Sequence, residues 1–150
     1  MKKVLLFTIL LLFFFDRITK LWALSCCIEP FEATNYLTFL LTYNRGVSFS
    51  LFSSPDTTLF ILVSLFSAFI TLLLGIYTYR AWLQNKNITG ELLVCVGSCS
   101  NLLDRFFYGA VIDFILVHYK TWSFAIFNIA DSAIVLGVGI MAYHIFFIQE

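Results

Sequence analysis

Residues 57–82 read TTLFILVSLFSAFITLLLGIYTYRAW, and no charge interrupts them before Arg80. A bilayer's hydrocarbon core, about 30 Å thick, is crossed by roughly 20 apolar helical residues. This stretch has that length on its own and reads as a membrane span. The composition agrees with it. Of 150 residues, 61% are hydrophobic, 19% aromatic and only 12% charged, where a soluble domain carries about 25% charged residues. Mean hydropathy is +0.93. A soluble globule this short leaves too much of its surface in water to hide so much apolar area. Nine Lys and Arg balance nine Asp and Glu. That excludes the basic excess that draws nucleic-acid phosphates, so no nucleic-acid partner is expected.

Working outward, three more apolar stretches appear. Residues 4–24 open with VLLFTILLLFFF and then meet Asp16, Arg17 and Lys20. Residues 90–107 hold Glu91, Asp104 and Arg105, and residues 126–148 hold one carboxylate, Asp131. The expected fold is an all-α membrane protein with four transmembrane helices, at about 4–24, 57–82, 90–107 and 126–148, in one domain covering residues 1–150. The link LQNKNIT, residues 83–89, is short and turn-like. Two longer links, residues 25–56 and 108–123, share the opposite side. Within the first, residues 35–52, NYLTFLLTYNRGVSFSLF, are rich in β-branched and aromatic residues with partial alternation. They read as short strands lying against the membrane surface.

Four spans put both termini on one side. Lys2 and Lys3 favour a cytoplasmic N-terminus, although the remaining cations do not follow the positive-inside rule by simple count. Arg17, Lys20, Arg45 and Arg105 stand beside carboxylates or in polar clusters, so they read as paired groups and not as topology signals. The first segment is expected to stay in the protein. Ala23-Leu24-Ser25-Cys26 faintly resembles a lipoprotein cleavage site, but Asp16, Arg17 and Lys20 interrupt the apolar core such a signal requires. Cys26 and Cys27 are adjacent, and Cys95 and Cys99 lie four apart, with no histidine close in sequence. That is not zinc spacing. The thiols read as small buried hydrophobes, and no metal or cofactor is expected.

Ionisable residues inside a span cost about 2.5–3.5 kcal/mol each on insertion scales, so they suggest function by default. At roughly 1.5 Å per helical residue, Asp16 lies about 20 Å up the first helix from Lys3. Asp104 lies about 20 Å up the third helix from Glu91, and Asp131 about 8 Å into the fourth from Ile126. All fall in the same half of the bilayer. Asp113 follows Gly109, a helix-ending residue type, and belongs at that interface. Asp16 and Lys20 are i,i+4 and can pair. Asn101, Asp104 and Arg105 share a face, which makes Asp104 the structural carboxylate of a buried pair. Asn128 and Asp131 are i,i+3. Polar glue between helices would explain any one of these. Asp113 and Asp131 lack a short i,i+4 cationic partner in their own segments, and two such carboxylates at one level suggest a dyad sharing a proton. Other intramembrane chemistries do not fit: the chain has no G-x-S-G with a helical histidine, no G-x-G-D and no H-E-x-x-H. A proton-linked transporter would want polar residues at several depths, and the second span offers only Ser and Thr through its middle.

Five blocks in order resemble the lipoprotein signal peptidases, the signal peptidase II family of bacteria. They are Asp16-Arg17-Ile18-Thr19-Lys20, Asn44-Arg45-Gly46-Val47-Ser48-Phe49, Asn101-Leu102-Leu103-Asp104-Arg105, Val111-Ile112-Asp113-Phe114 and Phe127-Asn128-Ile129-Ala130-Asp131. Each is weak alone; together, spanning Asp16 to Asp131, they are specific. Ser100 departs from the pattern, which has glycine before the asparagine. The resemblance implies four transmembrane helices with a small β-cradle on the outer face. It implies catalytic Asp113 and Asp131, with Asp16, Lys20, Asn44, Gly46, Asn101, Asp104, Arg105 and Asn128 supporting them or the substrate. Arg45 fills a variable position and is expected at a loop tip facing water. The implied partners are prolipoproteins carrying diacylglycerol on the cysteine that follows the cleavage site, together with membrane lipid, with no obligatory protein partner. The implied location is the bacterial cytoplasmic (inner) membrane, multi-pass, with cytoplasmic termini and the active site toward the outer face.

Overall fold

The computed structural model describes residues 2–46 and 56–148. Four helices carry the chain: α1 (Lys2–Cys26), α2 (Thr57–Leu83), α3 (Thr89–Tyr108) and α4 (Ile129–Tyr143). A π-helical turn, His144–Ile148, extends α4. Four strands form one antiparallel sheet in the order β1-β2-β3-β4: β1 (Phe31–Thr34), β2 (Leu37–Asn44), β3 (Val111–Tyr119) and β4 (Trp122–Ser123).

The expected strands within residues 35–52 are found in part. β2 lies inside that stretch, β1 precedes it, and residues 47–52 lie outside the described residues, as do Val47, Ser48 and Phe49 of the second block. The link at residues 108–123 is not a loop. It is mainly β3, the longest strand, and it carries Asp113. The fourth helix begins at Ile129 and not at Ile126, because Asn128 is its N-cap and the backbone of Phe127 is engaged with β3. Asp131 therefore stands in the first turn of α4.

Burial is inverted relative to a soluble protein. On α1 the buried positions are Ile9, Asp16, Lys20 and Ala23, a single helical face, while Phe7, Leu10, Leu11, Phe14, Phe15 and Ile18 are exposed. Leu62, Leu65, Phe66, Phe69 and Leu72 of α2 are exposed as well, and only Thr78 and Ala81 of that helix are buried. An exterior of Phe and Leu around an interior of Asp, Asn and Lys is stable where the surroundings are hydrocarbon. Two helices, Thr57–Leu83 and Ile129–Phe147, are long and apolar enough to cross a membrane by length and composition.

The helix α3 is central, packing against α1, α2 and most extensively α4. Its buried residues Gly90, Gly97, Asn101 and Asp104 recur on one face. At Gly97 a side chain has no room. A Cβ there would collide with the Ala130 carbonyl oxygen and lie 2.8 Å from Ile134 Cγ1. The two backbones thus approach closely, as small residues allow between membrane helices. At its other end α3 stops on Gly109, whose φ of 66° fits the left-handed cap and whose amide returns to Arg105 O at 3.2 Å.

The sheet sits on the end of α1. Phe114 packs with Ala23 and Cys27, and Trp22 meets the rings of Phe39 and Phe114 edge-on at 5.3 and 6.2 Å. Register places Asp113 opposite Thr42 and Val111 opposite Asn44. The lead-in to α4 is stitched to the same strand: Phe127 O accepts from Phe114 N and Ile115 N, and Phe127 N donates to Ile115 O. Sheet pairing and these bonds together bring Asn44, Asp113 and the start of α4 to one place.

Candidate active site

The C-terminal halves of α1 and α3, the N-terminus of α4 and the adjoining ends of β2 and β3 converge at one end of the bundle. All ten residues singled out in the sequence lie there in one hydrogen-bonded network. Its four carboxylates are held in two ways.

Asp16 and Asp104 are clamped by cations. Lys20 Nζ lies 2.9 Å from Asp16 Oδ2 and 2.7 Å from Asp104 Oδ2. Arg17 pairs with Asp104 Oδ1. Ser100 Oγ donates to Asp16 Oδ2 at 2.5 Å, and the Ala130 amide donates to Asp16 Oδ1 at 2.8 Å. Two carboxylates thus share two cations, the condition under which buried charge is tolerated. The bonds from Lys20 and Ala130 also join α1 to α3 and α4.

Asp113 and Asp131 are held by amides. Asn44 Nδ2 donates to Asp113 Oδ2 at 2.9 Å, and Asn128 Nδ2 to Asp113 Oδ1 at 2.7 Å. Asn101 Nδ2 donates to Asp131 Oδ1 at 2.9 Å. Asn128 also caps α4, its Oδ1 accepting from the Asp131 amide at 2.8 Å, so one side chain spans both aspartates. Burial, and next the charge of Asp131, push the Asp113 carboxyl from its ordinary 3.8 up to about 7. The amides of Asn44 and Asn128 and the charge of Lys20 act against that rise. Asp113 thus gains and loses its proton near neutrality beside a second carboxylate, the property needed for acid–base work.

Two expectations are corrected. Arg105 does not make the buried pair of Asp104; α1 supplies both of that residue's cations. The Arg105 guanidinium donates instead to Gly46 O at 2.7 Å, and its charge acts on Asp131 and Asp113 as well as Asp104. It spans from α3 to the loop where Gly46 N donates to Asn44 Oδ1 at 2.8 Å, so it steadies the turn that presents Asn44. Arg45 does not stand free in water. It is half-buried over the Phe60 ring, 5.0 Å from its centroid.

Arg17 and Ser100 belong to the network and were not singled out. Arg17 carried the same signal as Asp16, a charge inside a span. Ser100, the departure from the glycine pattern, is buried and bonds Asp16 where a glycine has nothing to offer. Beside Asp131 an apolar cavity of about 350 Å³ is lined by Phe124, Phe127, Ser132, Val135 and Leu136. Among the described residues no set of three His, Cys, Asp or Glu side chains is placed to hold a metal ion.

An inverted helix bundle with a polar chamber at one end is the architecture of a membrane protein with a functional site inside it. The chain shares its fold with a solved bacterial membrane enzyme at a TM-score of 0.77 and 23% identity, covering 95% of this chain and 87% of that one. The sequence comparisons are more specific. Residues 8–147 match the family described as signal peptidase (SPase) II. The chain is 40% identical to a lipoprotein signal peptidase of Mesorhizobium japonicum over 116 residues, 77% of this chain and 67% of that one. It is 38% identical to one of Clostridium novyi over 139 residues, 90% of each. This chain belongs to the signal peptidase II family and is a membrane protease.

Proposed function

We propose that this chain removes the signal peptide from prolipoproteins as an aspartic endopeptidase, cleaving before the diacylglyceryl-modified cysteine, with Asp113 and Asp131 as its catalytic pair. The observation that carries this is the bridge through Asn128, which donates to Asp113 and caps the turn bearing Asp131. Two interacting carboxylates in a partly dry site hold one proton between them. Asp113, raised to about 7, carries that proton below neutrality. Asp131 stands in the first turn of α4, where the helix dipole favours a carboxylate.

In this mechanism Asp131 takes a proton from a water as the water oxygen bonds the scissile carbonyl carbon. Protonated Asp113 hydrogen-bonds the carbonyl oxygen and stabilises the charge that develops there. Collapse of the tetrahedral intermediate breaks the C–N bond, and the amine of the cysteine leaves with the proton Asp131 had taken. No acyl-enzyme forms.

All four helices span the membrane on this reading, with both termini cytoplasmic and the sheet and dyad toward the outer face. The inverted burial of α1 supports a lipid-facing role beyond the two most apolar helices. The depth suits the substrate, because diacylglyceryl chains hold the modified cysteine at the interface. The test is to incubate purified Asp113→Asn and Asp131→Asn with a diacylglyceryl prolipoprotein and follow the mass shift. Near-normal turnover in either variant removes that residue from the pair.

A further inference from the structure

An asparagine side chain has a donor end and an acceptor end, and its neighbours decide which way it points. For Asn101 the nearer of two donors is Lys20; Asn128 Nδ2 also donates to Asn101 Oδ1, at 3.3 Å. An ammonium has three donors and no acceptor, and Lys20 Nζ lies 2.9 Å from Asn101 Oδ1. The amide oxygen must face Lys20, so Nδ2 faces Asp131 Oδ1 at 2.9 Å. Reversed, the amide would set donor against donor at Lys20 and acceptor against acceptor at Asp131. Lys20 is itself fully buried and fixed between Asp16 and Asp104.

We propose that Lys20 and Asn101 form a one-way hydrogen-bond relay that positions Asp131, with Lys20 locking the Asn101 amide as a donor to Asp131 Oδ1. Both are positioning residues, since neither needs to touch the substrate. The relay links the cation-clamped half of the network to the dyad: Asp16 and Asp104 orient Lys20, Lys20 orients Asn101, and Asn101 orients the carboxylate that takes the water's proton. A second amide lock runs alongside it. The backbone amide of Asp131 fixes Asn128 Oδ1, which turns Asn128 Nδ2 toward Asp113. The inference rests on the proposed Asp113/Asp131 pair.

The test reverses the functional end of Asn101 and keeps its structural end. Asn101→Asp still offers Lys20 an oxygen but sets a second oxygen before Asp131. Above neutrality two like groups oppose each other there. In mildly acidic buffer the new carboxyl takes a proton and can donate as the amide did. The other charged groups around this point are Lys20 and Asp16 from α1, Asp104 and Arg105 from α3, and Asp113 from β3, and they are the same in both proteins. For Asn101→Asp above neutrality, kcat is expected to fall about ten- to hundredfold, the worth of a hydrogen bond to a charged group. KM should be unchanged, and the deficit should shrink as pH is lowered. Asn101→Ala should show a similar fall in kcat at unchanged KM, without recovery in acid.

A pH-independent deficit in Asn101→Asp, an unaltered kcat, or a loss borne by KM overturns the relay. If Asn101→Asp does not accumulate, the split between kcat and KM in Asn101→Ala decides alone. An Asn101→Ala protein that cannot fold makes Asn101 a packing residue and also overturns it. Failure of the underlying pair is read separately: active Asp113→Asn or Asp131→Asn sinks the dyad, whereas inactive dyad variants with normal Asn101 variants sink only the relay.

Discussion

Asp104 and Asp113 are both fully buried, and each belongs to a pair of aspartates in the same polar chamber. Asp104 meets two cations, Arg17 and Lys20. Asp113 accepts from two neutral amides, those of Asn44 and Asn128. A cation fixes a carboxylate's charge and ties helices together. An amide orients a carboxylate and leaves its charge free to change. One pair therefore suits the framework and the other suits proton transfer, although all four residues look alike as charges in apolar sequence.

The sharpest way to break this contrast is to neutralise one member of each pair. Asp113→Asn and Asp131→Asn should lower turnover by at least ~10³-fold, the middle of the range for loss of acid–base catalysis. Both proteins should still accumulate in the membrane and melt cooperatively. Asp104→Asn should do the reverse. Removing one partner of a buried ion pair costs about 3–5 kcal/mol, and here Arg17 and Lys20 both lose an anion. The expected result is a protein that is poorly recovered or melts far lower. A stable but inactive Asp104→Asn would place that residue in the chemistry and erase the distinction drawn above.

The pH dependence sharpens the same contrast. If the working state has one proton on the pair, kcat should fall as pH rises through about 7, where Asp113 ionises. Stability should move in the same direction. A carboxyl whose pKa is raised on folding favours the folded state fully below its ordinary 3.8, and that contribution is lost as pH climbs to about 7. Melting temperature across that window should fall less in Asp113→Asn than in the unaltered protein. An equal fall in both would detach the effect from Asp113.

Much of this was legible in the sequence, for a reason specific to membranes. Hydrocarbon penalises every stray charge, so Asp16, Lys20, Asp104 and Asp131 stood out against their runs, and helical rise placed them at one level. The i,i+4 pairing of Lys20 with Asp16 is a local property and is found as expected. Partners between helices were not legible. Asp104 and Arg105 are neighbours on one helix, yet the pair forms with α1, because which faces meet is decided by packing such as the close approach at Gly97. β3 was also hidden. VIDFILVHY is apolar almost throughout, with its first four residues buried on both faces, and a short apolar run does not separate strand from loop or helix.

Asn44 and Arg45 test the amide side of the contrast at smaller amplitude. Asn44→Ala removes one of the two amides on Asp113, for a loss in kcat of about tenfold, the lower value for a hydrogen bond to a charged group. That amide also holds the Asp113 pKa down, so its loss should move the alkaline limb of the rate profile upward. Arg45→Ala removes a cation–π contact over Phe60, worth about 0.5–1 kcal/mol where partly exposed, and should lower the melting temperature slightly at near-normal rate. A slower Arg45→Ala enzyme at unchanged stability would reverse the two roles.

The smallest expected effect on turnover lies on the cation side, at Ser100. Its hydroxyl lies 2.5 Å from Asp16 Oδ2 and 3.3 Å from Arg17 Nη1, so it joins two charges that already have other partners. Asp16 keeps Lys20 and the Ala130 amide, and Arg17 keeps Asp104. Ser100→Gly should therefore cost about 2–4 kcal/mol, from the short hydrogen bond to Asp16 and the freer backbone of a helical glycine. Turnover and its pH profile should be unchanged, because no bond of Ser100 reaches Asn101, Asn128 or the dyad. Thermal melts and initial rates in the same detergent check both halves of this statement. A normal melt with a shifted rate profile would mean that Ser100 tunes the dyad through Asp16 and Lys20, and that the two halves of the chamber are more tightly coupled than their separate partners imply.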